Sequence, residues 1–190
     1  VNDVLADKLV LWAESHDTFA GGESKEVSQQ NINKTWALVA ARADAMGLYF
    51  ARPISSNLNE TPMGTASVTG WAASEVAAVN KFHNFFHGES EYLASSGSIA
   101  YNERGTSGVV LVNCGGTTAS VNVKANKMAD GTYKDQITGS TFTVSNGYIK
   151  GQIGDTGIAV VYNEEIKPVA TISIPGASFS SDTLSVSIGL

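Results

Sequence analysis

Apolar residues run without polar interruption from Leu9 to Ala13 ("LVLWA"), and the chain then turns polar through Glu14, Ser15, His16 and Asp17 before loosening at Gly21 and Gly22. A short unbroken apolar run bounded by turn formers predicts a strand buried on both faces, as in a covered parallel sheet. Beyond a polar loop, Ile32, Trp36, Val39, Ala40 and Ala43 recur at helical spacing, with Ser28 as N-cap and Gly47 as the stop. The segment "LYFARP" (48–53) then predicts a second buried strand, halted by Pro53. Strand, helix, strand is a βαβ unit, because a helical crossover is what lets two parallel strands lie side by side. Residues 54–70 carry turn formers and little periodicity and predict a long loop at the carboxyl end of the second strand. A further helix, capped by Ser74 and closed by Gly88, puts Val76, Val79, Phe82 and Phe86 on one apolar face beside Phe85.

From about residue 91 the texture changes. Seven β-rich runs follow, from "SIAYNERG" to "IAVVYN", separated by glycine turns, with "DG" at 130 and "NG" at 146 as hairpin signals. Strands at such spacing with no helix between them predict an antiparallel Greek-key β-sandwich. Pro168 ends that module, and the tail reads as a linker and the first strand of a further β module.

A βαβ unit with two covered strands cannot stand as a domain, since its edges and faces would be left in water. The helical part is therefore expected to be the end of a larger α/β sheet or barrel whose earlier strands lie upstream. The opening at Val1 and the close within "DTLSVSIGL" both read as cuts in a longer protein.

Composition narrows the partners. The 190 residues are 43% hydrophobic, enough for a substantial core, and carry a formal net charge of -6. With no run of Lys or Arg, a nucleic-acid surface is excluded as a reading, because such affinity rests on phosphate neutralisation. No stretch approaches the roughly 18 apolar residues of a membrane helix. The single Cys114, in the strand-like "VVLVNCG", is expected to be a buried small hydrophobe.

Candidate chemistry centres on the end of the first strand, where α/β folds place ligand and catalytic groups. Asp17 can serve as a base, an ion partner or a metal ligand, and His16 as a hydrogen-bond donor; a loop salt bridge or a helix cap is the bland alternative. Glu14 is expected to orient the loop, and Arg52 to form a structural ion pair. Trp12 and Trp36 fall on core-facing positions, whereas Trp71, after the long loop, is a candidate for stacking on a ligand. His83 and His87 stand at i and i+4, a metal-binding spacing, but nothing in the sequence places a third ligand beside them, and a solvated helix surface is expected. The stretches "NKT" at 33 and "NET" at 59 match the glycosylation sequon.

The segments "KLVLWAESHDTFAG", "INKTWALVAARADAMGLYFARP", "VAAVNKFHNFF" and "ERGTSGVVLVN", in that order, resemble the C-terminal part of secreted bacterial α-amylases of the Bacillus subtilis type. The resemblance covers about residues 7 to 163, and its "ESHD" resembles the fourth conserved region of the family. It implies an α/β plus all-β fold: the seventh and eighth βα units of a TIM barrel over 1–88, a C-terminal β-sandwich domain over 89–166, and a linker with the start of a further β module, starch-binding or other, over 167–190. It also implies endo-hydrolysis of α-1,4-glucosidic bonds in starch or maltooligosaccharides by a retaining mechanism, outside the bacterial cell. Asp17 matches the family's third catalytic carboxylate, which stabilises the transition state, and His16 matches a histidine that hydrogen-bonds the sugar. The nucleophile and the acid/base come from the fourth and fifth strands in this family, so this chain is expected to be inactive by itself. Two departures stand out: Gly21 replaces an Asn that related amylases place after the site, and Ser15 occupies the position where chloride-dependent relatives carry Asn. No cofactor or metal is expected on this chain, the structural calcium belonging to the upstream part. Two rivals remain: a noncatalytic glycan-binding or interaction fragment, or one half of a split amylase that docks on the missing N-terminal barrel portion.

Overall fold

The computed structural model describes residues 8–55, 57 and 59–164; the linker and further module expected over 167–190, with Pro168, lie outside them. Strand β1 (Val10–Leu11) pairs in parallel with β2 (Met46–Gly47), Val10 opposite Met46 and Leu11 opposite Gly47. Between them lie the short helix α1 (His16–Gly21) and the crossover helix α2 (Gln29–Ala40). The predicted βαβ unit is thus present, but its strands are shorter and the second starts earlier than "LYFARP". Leu48 N–H still donates to the Leu11 carbonyl at 2.8 Å, so the pairing continues into that segment by one bond. The strands are not covered as expected: Val10 is 46% and Trp12 52% exposed, which also corrects the core placement of Trp12. The physical reason is the sheet's size, two strands among the described residues, which leaves nothing to pack against their open side.

Ser28 caps α2 as predicted, its hydroxyl accepting from Asn31 N–H. The helix ends at Ala40, well before Gly47, and the chain turns through Asp44 at φ 55. The loop after β2 is pinned where Val68 N–H donates to the Arg52 carbonyl, and it ends in a 3-10 turn over Gly70–Ala72. Helix α3 (Ser74–Phe85) begins one residue earlier than a Ser74 cap requires: Ala73 is the N-cap, and the Ser74 hydroxyl turns to Glu75.

Among the described residues eight strands follow: β3 (Glu91–Ser96), β4 (Ile99–Arg104), β5 (Gly108–Asn113), β6 (Ala119–Lys124), β7 (Gly131–Asp135), β8 (Thr141–Ser145), β9 (Tyr148–Ile153) and β10 (Ile158–Tyr162). They form one antiparallel sheet in the order β3-β4-β5-β10-β7-β8-β9-β6, in which β7-β8-β9-β6 is a Greek key. Strand β3 was missed because "EYLASS" alternates weakly and lies at the sheet edge. The "NG" turn is borne out: Asn146 (φ 51) and Gly147 (φ 74) join β8 to β9, the pair of positive angles that a type I′ turn demands. The "DG" at 130 is not a hairpin, since β6 pairs with β9 and leaves β7 to β8 and β10.

The sheet curls on itself, so that Tyr101 on β4 donates its hydroxyl proton to the Lys124 carbonyl on β6 at 3.0 Å. Its enclosed face holds Val109, Leu111, Phe142, Ile149, Ile153 and Val161. On the other face Val110, Val112, Ile158, Val160 and Tyr162 pack against Trp36, Val79, Phe82 and Phe86 of the helical part. Strands β5 and β10 are therefore buried on both faces, which explains the unbroken apolar runs "VVLV" and "IAVV". Cys114 follows β5 into the turn and is exposed, which corrects its expected burial: the strand ends one residue before it, at Asn113.

Candidate active site

The polar segment after β1 becomes a helix start. Ser15, in extended conformation, is the N-cap of α1; its hydroxyl accepts from Thr18 N–H at 3.3 Å, and Thr18 Oγ1 accepts from Ser15 N–H at 3.0 Å. This reciprocal capping box satisfies two backbone donors that would otherwise be orphaned at the helix start. The turn ends at Gly22, whose φ of 99 is left-handed and costs a glycine little. Phe19 alone of the six helical residues is buried, so the helix hangs on one apolar anchor.

His16 and Asp17 are the first two helical residues. Their side chains are 80% and 84% exposed, and His16 Nε2 lies 3.2 Å from Asp17 Oδ1. The structure brings these two together at the carboxyl end of β1, as the sequence predicts, and turns both to solvent. An unburied carboxylate beside an imidazole can accept from and donate to hydroxyl groups of a polar ligand without a desolvation cost to either.

Beneath them sits a buried pair. Arg52, just beyond β2, donates from Nε to Glu14 Oε1 at 2.7 Å and from Nη2 to Glu14 Oε2 at 3.0 Å, with side-chain exposures of 12% and 1%. The same guanidinium donates to the Val27 and Ser24 carbonyls at 2.9 Å and stands 5.3 Å from the centre of the Phe19 ring. Ser24 Oγ donates to Glu14 Oε2 at 2.8 Å and lies 3.2 Å from Thr18 Oγ1. The ion pair expected of Arg52 is present, and its partner, which the sequence did not name, is Glu14. Sequence reasoning missed Ser24 and Thr18, although Ser15-x-x-Thr18 is a capping-box spacing. Nearby, burial pushes the Tyr49 hydroxyl above its ordinary value, with the charges of Glu14 and Glu75 adding to it and that of Arg52 opposing.

The other candidates lie elsewhere. Trp36 is buried, its indole N–H donating to Asn80 Oδ1 at 3.1 Å. Trp71 is exposed in the 3-10 turn. His83 places Nδ1 2.9 Å from the Ala40 carbonyl, and His87 places Nδ1 3.5 Å from Asp44 Oδ1; both line a cavity of about 610 Å³ with Trp36, Met46 and Asn80. Among the described residues no three His, Cys, Asp or Glu groups converge as a metal site requires. Of the aromatic residues on the curled sheet, Tyr92 and Tyr148 are exposed while Tyr101, Tyr133, Phe142 and Tyr162 are buried. Tyr92 stands on β3 and Tyr148 on β9.

Residues 98–153 match the family model of the bacterial alpha amylase C-terminal domain. The chain is 32% identical over 166 residues to an alpha-amylase from Clostridium acetobutylicum, covering 86% of this chain and 21% of that protein. It is 31% identical over 172 residues to an alpha-amylase from Butyrivibrio fibrisolvens, covering 82% of this chain and 17% of that one. The chain thus spans about a fifth of the length of these relatives. Alignments this long reach well beyond residues 98–153, into the helical part. Among solved structures, alpha-amylase I from Eisenia fetida superposes with a TM-score of 0.59 at 14% identity, over 84% of this chain and 42% of that one. An alpha-amylase from Geobacillus thermoleovorans complexed with acarbose gives 0.59 at 9% identity, over 84% and 40%. At such identities these two likenesses speak to fold.

Proposed function

We propose, from the match of residues 98–153 to the bacterial alpha amylase C-terminal domain and the 32% and 31% identity to two alpha-amylases, that this chain is part of a bacterial α-amylase and that His16 and Asp17 are its share of an active site that hydrolyses α-1,4-glucan. The observation that carries the reading is the placement of this pair: both groups solvent-facing at the carboxyl end of a parallel strand, on a helix start held from below by a buried ion pair. Asp17 is the third catalytic carboxylate, accepting hydrogen bonds from sugar hydroxyls that strengthen as the ring flattens toward an oxocarbenium-like transition state. His16 donates to a hydroxyl of the same sugar. Retention of configuration requires a nucleophile and an acid/base about 5 to 5.5 Å apart; on this reading both come from barrel strands other than β1 and β2. Residues 1–88 are then the seventh and eighth βα units of that barrel and 89–166 its C-terminal β domain, in a secreted enzyme whose structural calcium is bound by the upstream part.

The test is Asp17→Asn in the amylase polypeptide that carries this chain. Starch hydrolysis should fall about 10²- to 10³-fold or more, as when one preorganised transition-state contact is removed. A rate near that of the parent protein would overturn the assignment.

A further inference from the structure

We propose that Glu14 and Arg52 are positioning residues for the His16–Asp17 pair, an inference that rests on the amylase reading of that site. His16 and Asp17 project into solvent, so their aim is set by the backbone of a helix only six residues long. A helix of that length has no stability of its own, and its orientation must come from what it is tied to.

The ties converge on one buried carboxylate. Glu14 immediately precedes the N-cap Ser15, and its two oxygens receive three hydrogen bonds: Arg52 Nε, Arg52 Nη2 and Ser24 Oγ. Ser24 passes the connection to Thr18 Oγ1, the same atom that accepts from Ser15 N–H. Arg52 holds the return of the loop through the Ser24 and Val27 carbonyls and closes over Phe19, the one buried side chain of α1. The end of β1, the start of α1, the loop after it and the exit of β2 are therefore fixed relative to one another by a single guanidinium–carboxylate fork. The fork geometry is rigid in a way an ammonium cannot reproduce, since Arg52 uses three of its nitrogens on four acceptor oxygens at once. An error of about 1 Å in a substrate-contacting group can cost about 10²-fold in rate, which is the leverage such a pair would hold over Asp17.

The experiment compares Glu14→Gln and Arg52→Lys with Asp17→Asn in the amylase polypeptide that carries this chain, scoring kcat and KM on a maltooligosaccharide and the fraction folded by circular dichroism. Glu14→Gln keeps shape and loses charge; Arg52→Lys keeps charge and loses the fork. Positioning predicts kcat lowered about 10- to 100-fold in both, with KM changed less than about threefold because the remaining subsites still bind, and with the folded fraction unchanged. Wild-type kcat in both variants beside an inactive Asp17→Asn overturns the positioning role and leaves the amylase reading standing. A kcat that falls only in proportion to the folded fraction overturns it too, since the pair would then be structural alone. Full activity in Asp17→Asn overturns the reading of the site and the positioning role with it.

Discussion

The Arg104 guanidinium donates from Nη1 to the Ala41 carbonyl at 3.0 Å and from Nη2 to the Phe86 carbonyl at 2.5 Å, so one side chain of β4 closes the C-termini of α2 and α3 together. A fixed positive charge at two helix C-termini meets the negative end of both macrodipoles and satisfies carbonyls that have no partner within their helices. Arg104 is fully buried, and burial draws its pKa below the ordinary arginine value while Glu91, Asp44 and Glu89 raise it. Arg104→Met, which keeps the bulk and removes the donors, should destabilise the chain by about 3 kcal/mol, two charge-assisted hydrogen bonds being lost at once. Urea denaturation checks this, and a change below about 1 kcal/mol would show that the two helix ends find other partners.

Beside it, Glu91 at the start of β3 receives Arg42 Nε and Nη2, Ala43 N–H and Asn102 Nδ2 at 2.9 to 3.1 Å. Burial pushes its carboxyl up, but the Arg42 hydrogen bonds, the Ala43 amide, the Arg42 charge and Asn102 together outweigh burial and hold it below the ordinary glutamate value. A carboxylate depressed in the folded state adds stability that is complete above the unfolded pKa and is lost as pH falls through the folded one. Glu91→Gln should therefore be less stable than the parent at pH 7, and the difference should shrink below about pH 4.5. Melting both proteins from pH 7 to pH 3 tests the sign; a gap that widens in acid would contradict it.

Where the sequence was legible, one physical signal dominated locally. Helix α2 followed from Ile32, Trp36 and Ala40 at one spacing behind a Ser28 cap, and the β8–β9 hairpin from an Asn146-Gly147 pair that suits few other conformations. The errors lie where a distant partner decides. "DG" at 130 marks a turn chemistry that the crossing of β6 to β9 overrides, and Trp12 reads as core from its apolar neighbours whereas the two-stranded sheet of the described residues leaves it 52% exposed. At the candidate site, His16 and Asp17 are marked by their place after an unbroken apolar run. The Glu14–Ser24–Thr18 relay was not, because its members are joined only when α1 folds back on the strand.

Gly151 on β9 illustrates a partner hidden from sequence. A Cβ there would be driven into the ring of Phe142, which is fully buried on the neighbouring strand β8, so the glycine is demanded by close approach and not by its backbone angles. Gly151→Ala should cost about 1 to 3 kcal/mol through overpacking, and Phe142→Leu should recover part of that loss in the double variant although it is destabilising by itself. Additive losses in a double-mutant cycle would place the strain elsewhere.

His16 and Asp17 should behave in the opposite way. Neither side chain is buried, and the contact between them joins two exposed groups; exposed ion pairs contribute about 0 to 1 kcal/mol. Asp17 also lies in the first turn of α1, where a negative charge favours the helix by at most about 1 kcal/mol. Asp17→Asn and His16→Ala should therefore leave the denaturation midpoint of the 190-residue chain almost unmoved, with the Thr18 and Phe19 amides still protected from exchange. Residues kept for chemistry can be removed without loss of fold, whereas residues kept for packing cannot. A large drop in stability for either variant would mean that the pair holds α1 in place and is not poised over a substrate.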